Sequence, residues 1–415
     1  MKRVILDTQS NRHFKGVALE QSYDQRGGIC QAGAGDIVVT ADPIDQNFLR
    51  YWEDLGFDLP EFLVAGPFDP TCTLSQLVLR NQPLQEQILS RLNGEPARLE
   101  FFCIEESERL VAEALGIEPY CNFEVSIPLS RKPNFKRFFD QIGLTTPLWF
   151  ACRNREDLEP SGTSLLEAGK TFLLKAEDGT GGIACGGMRH VENTEQLGFA
   201  MNQELHFGTE FVAEEVVPHS TEVSIHWEIT ETGHARLIAI FEQLSRHFGY
   251  AGAIWPAQNI TEKTRARIMS EAEGKFWPAL IARGAIGFFC CDIVVDREGV
   301  PYWIDFNPRK GAILYVHDMV RRLSLVHGRG EKGFFRHEHL QLPNPAKVAS
   351  FSEIRMLLGE LLEPHFSGFV VVSNPGVIAH GYCDITGISW VSAESAEARF
   401  SKTRKRVLRE IGVYS

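Results

Sequence analysis

The chain changes rhythm about a third of the way along. In its first part, short strands alternate with helices. Asp36-Ile37-Val38-Val39-Thr40 reads as a strand, and residues 44–55 carry Phe48, Leu49, Trp52 and Leu55 at helical spacing. Residues 61–66 read as the next strand, and residues 101–104 as another, leading into a helix over 106–115. Strand and helix in alternation argue a parallel sheet covered by helices, an α/β layer. From Thr171 onward strands dominate, over 171–175, 211–217, 222–229 and 235–241, then 287–295 and 300–306. The last two are joined by Asp296-Arg297-Glu298-Gly299, a strong turn signal. Helices are expected over 135–142 and 262–282. Residues 329–347 are polar, contain Gly330, Gly333, Pro343 and Pro345, and read as a linker. A helix (352–362), two strands (369–373 and 376–384) and a closing helix (395–411) then form a small α+β unit.

The chain has 415 residues, and at about 150 per domain that length suggests two to four domains. With 44% hydrophobic and 23% charged residues, a disordered or fibrous chain is excluded. The 42 basic residues against 54 acidic ones leave a net charge of −12. General nucleic-acid binding needs a basic surface and is not expected. No apolar run is long enough to span a membrane. Met1-Lys2-Arg3-Val4-Ile5-Leu6-Asp7 is too short in its apolar part for a signal-peptide core, so the chain reads as cytoplasmic. Nine cysteines, an odd number with no C-x-x-C pair, suggest neither a disulfide framework nor a zinc site. Gly33-Ala34-Gly35 precedes a strand, whereas a dinucleotide fingerprint would follow one, so that reading is rejected.

Four pieces carry chemistry, in a fixed order. Leu173-Leu174-Lys175-Ala176-Glu177-Asp178-Gly179-Thr180-Gly181-Gly182 is a strand ending in lysine that runs into a glycine loop. Backbone N–H groups of such a loop can close over phosphates while the ammonium neutralises them. Alone, a surface turn explains it equally well. In Phe211-Val212-Ala213-Glu214-Glu215-Val216-Val217-Pro218, proline has no N–H, so a hinge here would offer the Glu215 carbonyl and the Val217 N–H to an adenine edge. Glu222, a few residues on, is placed to reach ribose hydroxyls; a plain strand ending at proline is the simpler account of this piece taken singly. Asp292 lies on one strand of the later hairpin. Asp305-Phe306-Asn307-Pro308-Arg309 lies on the other, with Asp305 and Asn307 on one strand face. Such oxygen ligands suit Mg²⁺, and the Arg309 guanidinium just beyond can hold a phosphoryl group or a carboxylate.

In this order the pieces resemble the ATP-grasp superfamily, over residues 130–325. The resemblance implies ATP and Mg²⁺ as cofactors. Ser130-Arg131-Lys132, followed by a helix and Gly143-Leu144-Thr145-Thr146-Pro147, looks like the family segment supplying a first phosphate-binding lysine. That role falls to Lys132, with Lys136 as the alternate. The resemblance gives Lys175 the second lysine's role, Gly181 and Gly182 the phosphate-covering loop, Glu215 and Val217 the adenine hinge, and Glu222 the ribose. It gives Asp292, Asp305 and Asn307 the metal ions, and Arg309 and Lys175 catalytic roles. Two positions depart from the family. Asp305 stands where most members have glutamate, and Cys290 where many have an arginine.

The flanks look similar to those of peptide ligases of the pheganomycin biosynthesis type. The expected organisation is an α/β pre-ATP-grasp domain with a parallel sheet (1–128), a two-lobed ATP-grasp domain (129–328) and a small C-terminal α+β unit (345–415). The activity so implied is ATP-dependent joining of a carboxylate to an amine through an acyl phosphate. Its partners would be amino acid or peptide substrates, and a homodimer is common in the family. A phosphotransferase and a non-catalytic nucleotide sensor are the rival readings. Arg246, His247, Tyr250 and Trp255 are candidates for an acceptor pocket.

Overall fold

The structure, a computed structural model, describes residues 1–8, 22–67, 69, 71–177, 188–202, 210–344 and 348–411. Its first sheet contains β1 (Lys2–Leu6), β2 (Ile37–Thr40), β3 (Glu61–Val64), β4 (Ala97–Phe101) and β5 (Glu118–Pro119), in the order β3-β2-β1-β4-β5. Every neighbouring pair is parallel. Val4, Ile5 and Leu6, like Ile37, Val38 and Val39, are buried at consecutive positions, as a sheet covered on both faces requires. The helices carry local start and stop signals. Asp45 caps Gln46–Asp54, Thr73 and Gln76 form a capping box on Leu74–Arg80, and Gly116 ends Glu106–Leu115 at φ +61.

The strand expected over 101–104 lies earlier, at β4. Its register with β1 runs from Lys2 opposite Ala97 to Leu6 opposite Phe101. The neighbouring Arg98 and Glu100, which pair with one another at 2.8 Å, break up its apolar signal.

The second sheet is antiparallel and contains β6 (Trp149–Cys152), β7 (Phe172–Lys175), β8 (Met188–Val191) and β9 (Phe211–Glu215), ordered β6-β9-β7-β8. The third has eight strands: β10 (Thr221–Ile229), β11 (Ala235–Arg246), β12 (Gly249–Trp255), β13 (Gly287–Val295), β14 (Pro301–Asn307), β15 (Phe334–Gln341), β16 (Val370–Val372) and β17 (Tyr382–Ser389). Their order is β14-β13-β10-β11-β12-β15-β17-β16. Phe135, Phe139, Trp227, Phe276, Trp303 and Phe306 pack one face of this sheet against the helix Lys132–Ile142 and the segment around Phe276.

One further expectation is corrected here. The segment read as a linker, 329–347, contains β15, which joins β12 to β17, so the C-terminal strands extend the central sheet. Its polar composition hid the strand. Arg336 pairs with Glu397 at 2.9 Å, His337 with Thr386 at 2.9 Å and His339 with Asp384 at 2.6 Å, so these polar side chains find partners on β17 and the last helix (Ala393–Ile411). Residues 242–250, which hold Arg246, His247 and Tyr250 of the acceptor-pocket candidates, form a hairpin: β11 runs on to Arg246, and a two-residue turn at His247-Phe248 leads into β12. Both turn residues have positive φ, 49° and 62°, as the favoured hairpin turn demands.

Candidate active site

The site begins with the pairing of β13 and β14. Asp292 lies directly opposite Asp305, and Cys290 opposite Asn307. The register shifts between Asp292 and Ile293, a bulge beside the first carboxylate. Opposite residues of neighbouring strands share a face, so the two aspartates and the asparagine project together. Burial, then the charge of Asp305, pushes the Asp292 carboxyl up to about 7. Asp305 is shifted the other way: burial is outweighed by Lys132 and Lys175, which hold its carboxyl below the usual range. Lys132 Nζ donates to both Asp305 oxygens at 3.2 Å.

Two contacts bring the lysines together. Lys132 N–H donates to the Glu177 carbonyl at 2.7 Å, and Arg131 bridges to the Glu177 carboxylate at 3.0 Å. These tie the start of the helix Lys132–Ile142 to the exit of β7, where Lys175 sits. Lys132, Phe135, Lys136 and Phe139 recur at helical spacing on one helix face, so Lys136 is carried into the core at 0% exposure.

The residue that balances this charge, Glu214, was missed by sequence reasoning. It is 2% exposed, lies on β9 beside β7, and pairs with both Lys136 and Lys175. Burial alone would lower the Lys175 pKa, but Glu214 and Asp305 outweigh it and the pKa is raised. For Lys136 burial wins and the pKa is lowered. The sequence signalled only that some buried anion is needed, since two lysines on apolar, inward faces require one.

The segment around Glu215, expected as a hinge, is held from both sides. Glu215 N–H donates to the Leu148 carbonyl and Val216 N–H to the Thr171 carbonyl, each at 2.9 Å. The Glu215 side chain pairs with Lys170 and accepts from Leu148 N–H at 3.2 Å. His219, also missed, bonds the Val217 carbonyl through Nδ1 and Glu222 through Nε2, both at 2.9 Å. Its pKa is raised chiefly by the Glu222 bond. Glu222 also accepts from Ser245. A cavity of about 370 Å³ opens here, lined by His219, Glu222, Gln243, Ser245 and Arg336 among others. Gly181 and Gly182 lie outside the described residues.

Arg309 lies beside Asn307, where Nη2 donates to Asn307 Oδ1 at 3.0 Å, and its guanidinium lies 4.1 Å from the Phe102 ring centroid. The first domain therefore reaches the site. The buried Lys310 reinforces this contact, bonding Gln31 at 2.5 Å and Asp318 at 2.7 Å. Of the acceptor candidates, Arg246 pairs with Glu338 at 2.5 Å and Trp255 packs on Phe241 and His317. Neither touches the aspartate pair.

Asp292, Asp305 and the Asn307 amide form an all-oxygen donor set, and the like charge that adds to burial in raising Asp292 is one a divalent cation would relieve. The set fits Mg²⁺. Among the described residues no group of three or more His, Cys, Asp or Glu could hold a metal, so phosphate oxygens and water would complete the shell. No described helix is long and apolar enough to cross a membrane.

The Pre ATP-grasp domain family matches residues 28–117. No curated protein sequence matches the chain. Among solved structures, N5-carboxyaminoimidazole ribonucleotide synthetase from Thermus thermophilus aligns over 100% of this chain and 99% of its own, at 16% identity and TM-score 0.57. Biotin carboxylase from Campylobacter jejuni, in its β,γ-ATP complex, aligns over 100% and 95% at 15% identity and TM-score 0.63. The L-amino acid ligase of Bacillus licheniformis aligns over 98% and 97% at 16% identity and TM-score 0.58. Likeness at these identities establishes architecture: the chain has an ATP-grasp fold with a pre-ATP-grasp domain.

Proposed function

We propose that this protein is an ATP-dependent carboxylate–amine ligase whose substrates are amino acids or short peptides. The observation that carries the reading is the register of Asp292 on Asp305 with Lys132 bonded to Asp305, which gathers carboxylates and ammonium groups in one cleft. The L-amino acid ligase likeness supports the substrate class.

In this reading the Glu215 carbonyl and Val217 N–H hold the adenine, Glu222 the ribose, and Lys132 and Lys175 the phosphates. Asp292, Asp305 and Asn307 hold Mg²⁺, which when bound offsets charge on the phosphates. A substrate carboxylate oxygen attacks the γ-phosphorus and the bond to ADP breaks, giving an acyl phosphate. The amine then attacks the acyl carbon, loses a proton, and phosphate leaves. Little covalent work falls to the protein; Lys175 and Arg309 orient the reactants and neutralise charge. Arg309 is fixed for this by its Asn307 bond and its Phe102 contact.

The test incubates the protein with ATP, Mg²⁺ and a pool of amino acids and short peptides, followed by mass spectrometry. Condensation products with stoichiometric ADP are expected. ADP without an amide would replace the reading with a phosphotransferase. Nucleotide binding with no turnover for any pair would replace it with a sensor.

A further inference from the structure

Within the proposed metal set, Asp292 is bonded to a hydroxyl. Ser224 lies directly opposite it on β10, and Ser224 Oγ donates to Asp292 Oδ1 at 2.8 Å. His226 is two residues along the same strand, on the same face, opposite Cys290. Its Nε2 lies 3.0 Å from Ser224 Oγ. A hydroxyl has a single proton. If Ser224 gives that proton to Asp292, it must accept from His226, so the imidazole proton sits on Nε2 and Nδ1 carries the lone pair.

The ring is fixed in place. His226 is 1% exposed and meets the Phe241 ring edge-on, with centroids 5.0 Å apart at 83°. A Cβ at Gly311 would stand 2.2 Å from its Cε1, so only glycine allows this approach. The β10–β11 register shifts between His226 and Trp227. Nδ1 is buried without a hydrogen-bond partner among the described residues. An apolar ring of similar size would avoid that unsatisfied atom. What the imidazole adds here is the Nε2–H donated to Ser224.

We propose that Ser224 and His226 form a hydrogen-bonded relay that positions Asp292 for a divalent cation, with His226 as a positioning residue. The relay holds one carboxylate oxygen and leaves the other to coordinate. A lone serine could turn its proton elsewhere; the histidine directs it. This inference rests on the reading of Asp292 as a metal ligand, and the experiment separates the two.

Mn²⁺ binding is followed by electron paramagnetic resonance in the presence of a non-hydrolysable ATP analogue, with circular dichroism as a check of folding. Asp292→Asn tests the ligand, and a wild-type affinity in that variant would overturn both the ligand reading and the relay. His226→Leu is expected to weaken Mn²⁺ binding about tenfold, the lower end for a group that orients a metal ligand. His226→Gln places an amide N–H near the Nε2 position and should recover most of that loss, which a purely structural role would not predict. Should His226→Leu fail to fold, Ser224→Ala carries the test with the same expected loss. Wild-type Mn²⁺ affinity in folded His226→Leu or Ser224→Ala, alongside a loss in Asp292→Asn, would overturn the relay and leave the ligand standing.

Discussion

Glu214 and Asp292 are both carboxylates on strands facing the same cleft, and their surroundings are opposite. Glu214 is enclosed and paired with two ammonium groups, Lys136 and Lys175. Asp292 has a serine hydroxyl and, directly across the ladder, another carboxylate. The first arrangement is an ion cluster closed by the chain's own residues. In the second, Lys132 bonds Asp305 while Asp292 is met by a hydroxyl, and burial, then the charge of Asp305, pushes the Asp292 carboxyl up to about 7. The cleft thus combines a finished ion cluster, which sets the lysines, with an unfinished one. In the proposed reading, such a site has its affinity for phosphate and metal built in before either arrives.

The largest expected effect breaks the finished side. Glu214→Leu leaves two buried ammonium groups without the carboxylate they share. Removing one partner from a buried ion cluster costs about 3–5 kcal/mol. Urea denaturation should show a loss of that size. A loss below about 1 kcal/mol would mean that water reaches the lysines and that the cluster is not closed.

The unfinished side should respond differently. Mg²⁺ with ATP at a hundredfold excess over Kd should stabilise the wild type by about 2.7 kcal/mol. Asp292→Asn should lose most of this stabilisation. In EDTA the same substitution removes a like charge directly across a strand pair and should raise stability by up to about 1 kcal/mol. Loss of stability in EDTA would show that the Ser224 bond matters more than the Asp305 repulsion.

How far the sequence revealed this contrast depended on geometry. Asp292, Asp305 and Asn307 were legible because two-residue spacing on a strand fixes a shared face, and Asp296-Arg297-Glu298-Gly299 fixed the hairpin. Lys175 was singled out at a strand end and Lys132 only through the family resemblance; the structure bonds Lys132 to Asp305. Glu214 was not legible, because the adjacent pair Glu214-Glu215 looks symmetric until β9 is placed in a sheet and one side chain turns inward. His226 and Ser224 were hidden because their role depends on cross-strand register, which a single strand does not encode. β15 was hidden by polar residues whose partners lie far along the chain on β17. The contacts of Gln31 and Phe102 with Lys310 and Arg309 depend on how two domains dock.

His337 offers a third type of buried titratable group, a base kept neutral. Burial, with the nearby charge of His339, pushes it down to about 4 against the pull of Asp384 and Glu338. The sign follows from linkage. Below about 6.5 the unfolded chain takes up a proton that the native chain refuses, so stability is lost as pH falls toward 4, by up to about 1.4 kcal/mol per pH unit. His337→Gln should flatten that acid limb in a pH series of urea melts. An unchanged slope would place the titration elsewhere.

The smallest effect concerns an ion pair with the opposite setting from Glu214. Arg236 bridges to Glu228 at 2.7 Å but is 65% exposed. Glu228 already has a second partner, accepting from the Tyr120 hydroxyl at 2.5 Å, which links the first domain to β10. Solvent screens the arginine, and its long side chain is ordered only at an entropic cost, so Arg236→Gln should lower stability by less than about 1 kcal/mol, and by less still in high salt. Tyr120→Phe should cost more than this, because it removes the bond made under cover between two domains. If the arginine outweighed the tyrosine, burial would not be what ranks the ion pairs of this protein, and the contrast between Glu214 and Asp292 would need a different physical basis.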